Sequence, residues 1–199
     1  MHASDERTAE RAVDRAFAAA PRSAFLPPDQ RDEAPEDRPI GIGEGQTCSQ
    51  PSTVRAMLLL LAVAPGARVL DLGSGSAWTT ALLAHLVGPT GRVDGVERRH
   101  DLAAWGRDNL QTLQLPWAQV HTARADVLGW PQGAPYDRIL VSATAPRLPE
   151  SLLDQLADGG RMVIPVRTTM TVVDRVGAEL RQWEAGQYRF VPLIVPESR

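Results

Sequence analysis

The sequence predicts an α/β protein with a doubly wound, Rossmann-like sheet. Most of the sheet is expected to be parallel, with antiparallel C-terminal strands and an N-terminal helical extension. Three observations carry this. Between residues 68 and 166, short runs rich in Val, Leu and Ile alternate with segments of helical period, the pattern of buried strands joined by crossover helices. One run, VLDLGSGSAW (69–78), passes through an acid and a Gly-x-Gly turn into a helix. Beyond residue 167 the helical period stops and a two-residue alternation takes over.

Taken in order, residues 5–20 place Ala9, Ala12, Val13, Ala16 and Phe17 at helical spacing between charges and predict an amphipathic helix. Residues 21–41, rich in Pro and acid, predict an extended excursion over the surface anchored by Phe25 and Leu26. The next stretch, GEGQTCSQP (43–51), has neither helical nor strand period, and its dense small polar groups read as one wall of an active site. A helix is predicted over 52–63, capped by Ser49 or Ser52 and ended by Pro65–Gly66. Strands follow at 68–73, 92–97, 118–123, 137–143 and 161–166, with helices at 76–87, 100–113 and 149–157. The tail, 168–193, predicts antiparallel strands closing the sheet edge, with turns near Gly177 and Ala185–Gly186. Trp130 is expected in the core. All of this is expected in one domain: an N-terminal helix and loop (1–51), a Rossmann-like core (52–166) and a β extension (167–199).

The bulk numbers exclude several classes. A chain of 199 residues can bury a substantial core. Net charge is -3, so no basic field is offered to a nucleic-acid backbone. All 21 cations are Arg. One Cys precludes an internal disulfide, and four scattered His lack metal-ligand spacing, so no metal is expected. The charged N-terminus has no apolar signal core, and the longest apolar run, Met57–Ala64, is too short for a bilayer. A cytoplasmic monomer without a membrane partner is expected.

The chemistry concentrates at the glycine turn. Asp71 is expected at the carboxyl end of a strand, where open α/β sheets bind ligands, and Gly73 and Gly75 let a ligand approach the backbone. The next strand ends in Glu97, about 20 residues beyond the turn, where an acid can accept from a ribose 2′-hydroxyl. Trp78 occupies the sixth position of the fingerprint, where Gly or Ala normally allows close helix packing, and this disfavours a dinucleotide. A carboxylate before the turn suits a cationic ligand, and S-adenosylmethionine carries an ammonium, a sulfonium and a ribose. The competing reading is a glycine-rich turn that binds nothing.

From Phe25 to Leu193 the chain resembles the protein-L-isoaspartate O-methyltransferase family. The resemblance lies in PIGIGEGQTCSQP (39–51), VLDLGSGSAW (69–78), LGWPQGAPYDRILVSATAP (128–146), LPESLLDQLADGGRMVIPV (148–166) and RFVPL (189–193). Gly-Gln-Thr-x-Ser-x-Pro at 45–51 is its most specific part. The resemblance implies a methyltransferase sheet and transfer of a methyl group from S-adenosylmethionine to the α-carboxylate of L-isoaspartyl residues in damaged proteins or peptides. The ester then closes to a succinimide, which can reopen as aspartate. It implies Ser49 as the active-site serine with Thr47 beside it. It also implies cofactor contacts from Gln46, Thr47, Cys48, Ser49, Asp71, Gly73, Ser74, Gly75, Ser76, Glu97, Arg98, Asp126 and Val127. Substrate contacts are implied for Ile42, Ser49, Ala143, Thr144, Ala145, Val191 and Leu193. An α-carboxyl group ionises near pH 3.5, so the nucleophile needs no strong base; hydroxyls and backbone amides suffice to hold it.

Blander roles stand beside these. They are a helix cap for Ser49, a plain strand end for 142–146, and edge packing for Val191–Leu193. Cys48 is expected to pack as a small apolar group rather than react. Three features depart from the family pattern. Ala77–Trp78 replace Gly-Tyr, Gly41 replaces Pro, and Asp126 stands one place late relative to Gly129–Trp130. They leave open a methyltransferase dedicated to an Asp carboxylate in one maturing peptide, and a non-catalytic cofactor-binding homologue.

Overall fold

In the computed structural model, which describes residues 3–195, the N-terminal segment winds into helix α1 (Ala3–Ala19). Its covered stripe, Ala9, Ala12, Val13, Ala16 and Phe17, is the one the spacing predicts. The excursion that follows is not extended. It folds as two 3-10 turns, Arg22–Phe25 and Pro28–Glu33, because Pro21 and Pro27 offer their carbonyls to Ala24 and Gln30. Phe25 and Leu26 are fully buried anchors.

The polar stretch before the apolar helix is a two-stranded antiparallel hairpin, β1 (Ile40–Gly43) and β2 (Gln46–Cys48). Glycines hide it from periodicity, since they present no side chain to alternate. Gly43 and Gly45 make its tight turn at φ +90° and +70°. Helix α2 (Pro51–Leu61) follows without a side-chain cap. Neither Ser49 nor Ser52 caps it. Gln50 holds the N-cap position, Pro51 fills N1, where no amide is needed, and Asp37 takes the Ser52 amide at 2.9 Å. The helix stops at Ala62 in a left-handed conformation, before Pro65–Gly66.

The core then alternates: β3 (Arg68–Leu72), α3 (Trp78–Val87), β4 (Arg92–Glu97), α4 (His100–Thr112), β5 (Ala118–Thr122) and β6 (Tyr136–Val141). It continues with α5 (Glu150–Leu153), β7 (Leu156–Val166), β8 (Thr169–Val176) and β9 (Glu179–Gln187). The strand order is β5-β4-β3-β6-β7-β8-β9. Pairs from β5 through β7 are parallel, and β7–β8 and β8–β9 are antiparallel. The order reverses between β3 and β6, opening a crevice at their carboxyl ends. Helix α3 is buried almost all round, with α1 covering its outer side.

Two boundaries differ from the sequence reading. The helix predicted over 149–157 ends at Leu153, and β7 begins at Leu156 rather than at 161. Asp158–Gly159–Gly160, between the predicted helix and strand, form an irregular start to that strand, with Gly159 at φ +73° and a register shift opposite Tyr136–Arg138. Ala185–Gly186 is likewise a bulge within β9, whereas Gly177 does turn the chain between β8 and β9. Trp130 is half-buried rather than central, stacked on His121 with ring centroids 4.1 Å apart. Residues 196–199 of the expected C-terminal extension lie outside the described residues. No described helix is long and apolar enough to cross a membrane.

Candidate active site

Where β3 ends, the backbone turns sharply and is held by β4. The amides of Gly73 and Ser74 both donate to the Val96 carbonyl, at 2.9 and 3.1 Å. The Gly75 amide donates to Glu97 Oε2 at 2.9 Å, and Glu97 Oε1 accepts from the Arg99 amide at 2.8 Å. One carboxylate thus fixes the glycine turn and the start of the α4 connection. Gly75 suits this place: its φ of +53° favours glycine, and a Cβ there would press on the Ile42 side-chain end at 3.0 Å.

The turn lines one cavity outside the carboxyl ends of β3, β4 and β6, and most residues singled out in the sequence meet there. Gly73, Ser74, Gly75 and Ser76 form its floor, with Glu97 and Arg98 at one side. Ile42 and Gln46–Ser49 form the hairpin wall, Ala143 stands beside Ser142, and Val191 and Leu193 close the far end. Val127 lines the side beyond Arg124. Ser74 lines this space, and its hydroxyl is buried with no partner among the described residues.

Asp71 does not line the cavity. It sits behind the turn, 0% exposed, where Thr80 donates to its Oδ2 at 2.6 Å. Its Oδ1 has no partner among the described residues. Burial pushes its carboxyl up to about 7; the Thr80 bond opposes the rise and the Glu97 charge adds to it. Asp126 is also outside. It is exposed and paired with Arg124 at 3.2 Å, so the shifted position turns it to solvent. Thr144 and Ala145 stand behind the wall as brackets. The Thr144 amide donates to the Val191 carbonyl and its carbonyl accepts from Leu193, both at 2.8 Å, while the Ala145 amide donates to Pro165 at 2.9 Å. These bonds hold Val191–Leu193 at the cavity.

Cys48 lines the cavity in part, but its side chain packs into the core. Burial pushes its thiol up, and the neighbouring Arg22 works against that. Across the rim, Glu44 at the hairpin turn and Arg99 approach to 3.9 Å, an exposed pair of little energetic weight. Gln155 carries a role with no local sequence signal. Its buried amide accepts from Trp130 N at 2.8 Å and donates to Leu128 O at 2.9 Å, holding Leu128–Gly129 where they line the cavity.

A parallel sheet that reverses beside β3, an antiparallel edge and a cavity over the glycine turn define a Rossmann-like methyltransferase fold. A solved protein-L-isoaspartate O-methyltransferase superposes with a TM-score of 0.83 at 25% identity, covering 93% of this chain. The present chain spans 62% of that structure's length. A Plasmodium falciparum PCMT in complex with S-adenosyl-L-homocysteine superposes with a TM-score of 0.81 at 23% identity, covering 96% of this chain and 97% of its own. The family model described as "Protein-L-isoaspartate(D-aspartate) O-methyltransferase (PCMT)" matches residues 2–198. The protein-L-isoaspartate O-methyltransferase of Aeropyrum pernix is 45% identical, over 92% of this chain and 73% of its own. That of Methanopyrus kandleri is 44% identical, over 94% and 84%. The chain belongs to the protein-L-isoaspartate(D-aspartate) O-methyltransferase family.

Proposed function

We propose that the protein transfers a methyl group from S-adenosylmethionine to the α-carboxylate of L-isoaspartyl residues in damaged proteins or peptides, starting their return to aspartate through a succinimide. The observation that carries this reading is one shared cavity: the hairpin Gln46–Ser49 faces the glycine turn and the Val191–Leu193 segment across it. The residues fit the cofactor. A side-chain-free backbone at Gly73 and Gly75 and the Glu97 carboxylate, all lining the cavity, suit an amino-acid tail joined to a ribose. When bound, S-adenosylmethionine supplies an electrophilic methyl carbon on its sulfonium.

The protein's own groups have the remaining tasks. Glu97 accepts from ribose hydroxyls, and Arg98, Val127 and Leu128 flank the base. Asp71 acts from behind the turn, bracing it through Thr80 on α3. Thr47 and Ser49 donate hydroxyl hydrogen bonds to the substrate carboxylate, which is ionised at neutral pH without a base. Ile42, Ala143, Val191 and Leu193 give the aspartyl chain an apolar slot and limit water, so positioning supplies most of the acceleration.

The test uses labelled S-adenosylmethionine and two peptides of one sequence, one with L-isoaspartate and one with L-aspartate. Base-labile label on the isoaspartyl peptide alone is the expected result. Label on neither, with S-adenosylhomocysteine binding measured by calorimetry, would overturn the repair reading.

A further inference from the structure

We propose that Arg22 is a positioning residue for methyl transfer, holding the hairpin that carries Thr47 and Ser49 against the glycine turn; this rests on the function proposed above. Arg22 is 5% exposed, lies outside the cavity and makes no ion pair among the described residues. Its two Nη groups donate to carbonyls instead, while its buried Nε has no partner among the described residues. Nη1 donates to Glu36 O at 2.9 Å and Ala34 O at 3.3 Å, and Nη2 donates to Arg38 O at 2.7 Å and Cys48 O at 2.9 Å. Three of these carbonyls belong to the excursion. The fourth belongs to the hairpin residue between Thr47 and Ser49.

The same guanidinium lies over the Trp78 ring, 5.5 Å from its centroid. Trp78 opens α3 directly after the glycine turn and lines the cavity. Its ring is fixed on two further sides: its Nε1 donates to Ala20 O at 3.0 Å, and Phe17 packs edge-on at 5.5 Å. One corner of the chain, Ala20–Arg22, therefore grips both walls of the cavity. Trp78, which departs from the family pattern, supplies the surface on which the Arg22 fork rests.

Only an Arg meets this geometry. A planar fork reaches carbonyls on two segments while its face lies on an aromatic ring, whereas a Lys carries its three donors on one atom. If Arg22 only folds the excursion, its loss lowers stability and leaves turnover per folded molecule unchanged. If it positions the hairpin, its loss moves the Thr47 and Ser49 hydroxyls relative to the substrate carboxylate. A displacement near 1 Å costs about 100-fold in rate.

The experiment compares the unmodified protein with Arg22→Met and Arg22→Lys in kcat and KM for the isoaspartyl peptide, in S-adenosylhomocysteine Kd and in Tm. For Arg22→Met, kcat is expected to fall about 100-fold, with KM and cofactor Kd each within about threefold of the unmodified protein. Arg22→Lys is expected to fall between them, and it decides alone, by the same split, if Arg22→Met does not fold. An unchanged kcat with a lowered Tm would overturn the proposal and make Arg22 a scaffold residue. Cofactor Kd weakening in step with kcat would also overturn it, placing the effect at Trp78 instead. No transfer by the unmodified protein overturns the function itself; transfer by it that the variants leave unchanged overturns only the role of Arg22.

Discussion

The two walls of the cavity are built by different means. The glycine-turn wall is continuous with the sheet: just beyond the last paired residue of β3, two amides share the Val96 carbonyl of β4 and a third sits on the Glu97 carboxylate. The hairpin wall has no such support. Among the described residues β1 and β2 pair only with each other, and Arg22 together with the buried Ile40, Ile42 and Cys48 side chains holds them to the body. The difference teaches that the wall proposed to bind the cofactor is a property of the fold, whereas the hairpin wall proposed to meet the substrate is held by side chains distant in sequence. Changes in the first should act on binding, and changes in the second on turnover.

The largest expected effect lies under the glycine-turn wall. Asp71 has its carboxyl raised to about 7 in the folded protein, against 3.8 for the ordinary group, so between those values the folded state holds a proton that the unfolded state has lost. Its contribution to stability is therefore greatest at acid pH, falls as pH rises from about 4 to about 7, and is level above that. Asp71→Asn, which mimics the neutral form, should remove up to about 4 kcal/mol of this decline. Denaturant midpoints of both proteins across that pH range give the check; parallel curves would contradict it.

Glu97→Ala comes next. It unpairs the Gly75 and Arg99 amides and removes the proposed ribose acceptor, so the S-adenosylhomocysteine Kd should weaken about 100-fold, read by calorimetry. An unchanged Kd would break the assignment of binding to this wall. Asp126→Ala should do least, altering that Kd less than about twofold, since the side chain faces solvent and pairs only with exposed Arg124. A tenfold loss would mean that the Arg124–Val127 loop turns inward on binding and that the sequence expectation for Asp126 holds in the complex.

The same contrast explains what was legible in the sequence. β3 and β4, with the acid and glycines after β3, are local patterns, and the doubly wound sheet follows from their alternation. The hairpin was not legible as strands, because Gly41, Gly43 and Gly45 carry no period. Asp37 reaching the Ser52 amide, Gln155 bridging Leu128 and Trp130, and Thr144 bracketing Val191–Leu193 are long-range bonds with no local signature. Asp71 was read correctly as a strand-end acid, but spacing alone could not tell a carboxylate facing the cavity from one buried behind the turn. Arg22 is one of three arginines in a Pro-rich acidic stretch, beside Arg31 and Arg38, and its four carbonyl partners set it apart.

The division of labour is tested most directly at Ser49, which lines the cavity from the hairpin wall. Steady-state turnover on the isoaspartyl peptide and S-adenosylhomocysteine Kd would be measured side by side for Ser49→Ala. The expected result is kcat lowered about tenfold or more, the loss of a hydrogen bond to a charged group, with Kd within about twofold. Full turnover would take Ser49 out of the mechanism, and a Kd that weakened as much as turnover would contradict the separation of the two walls.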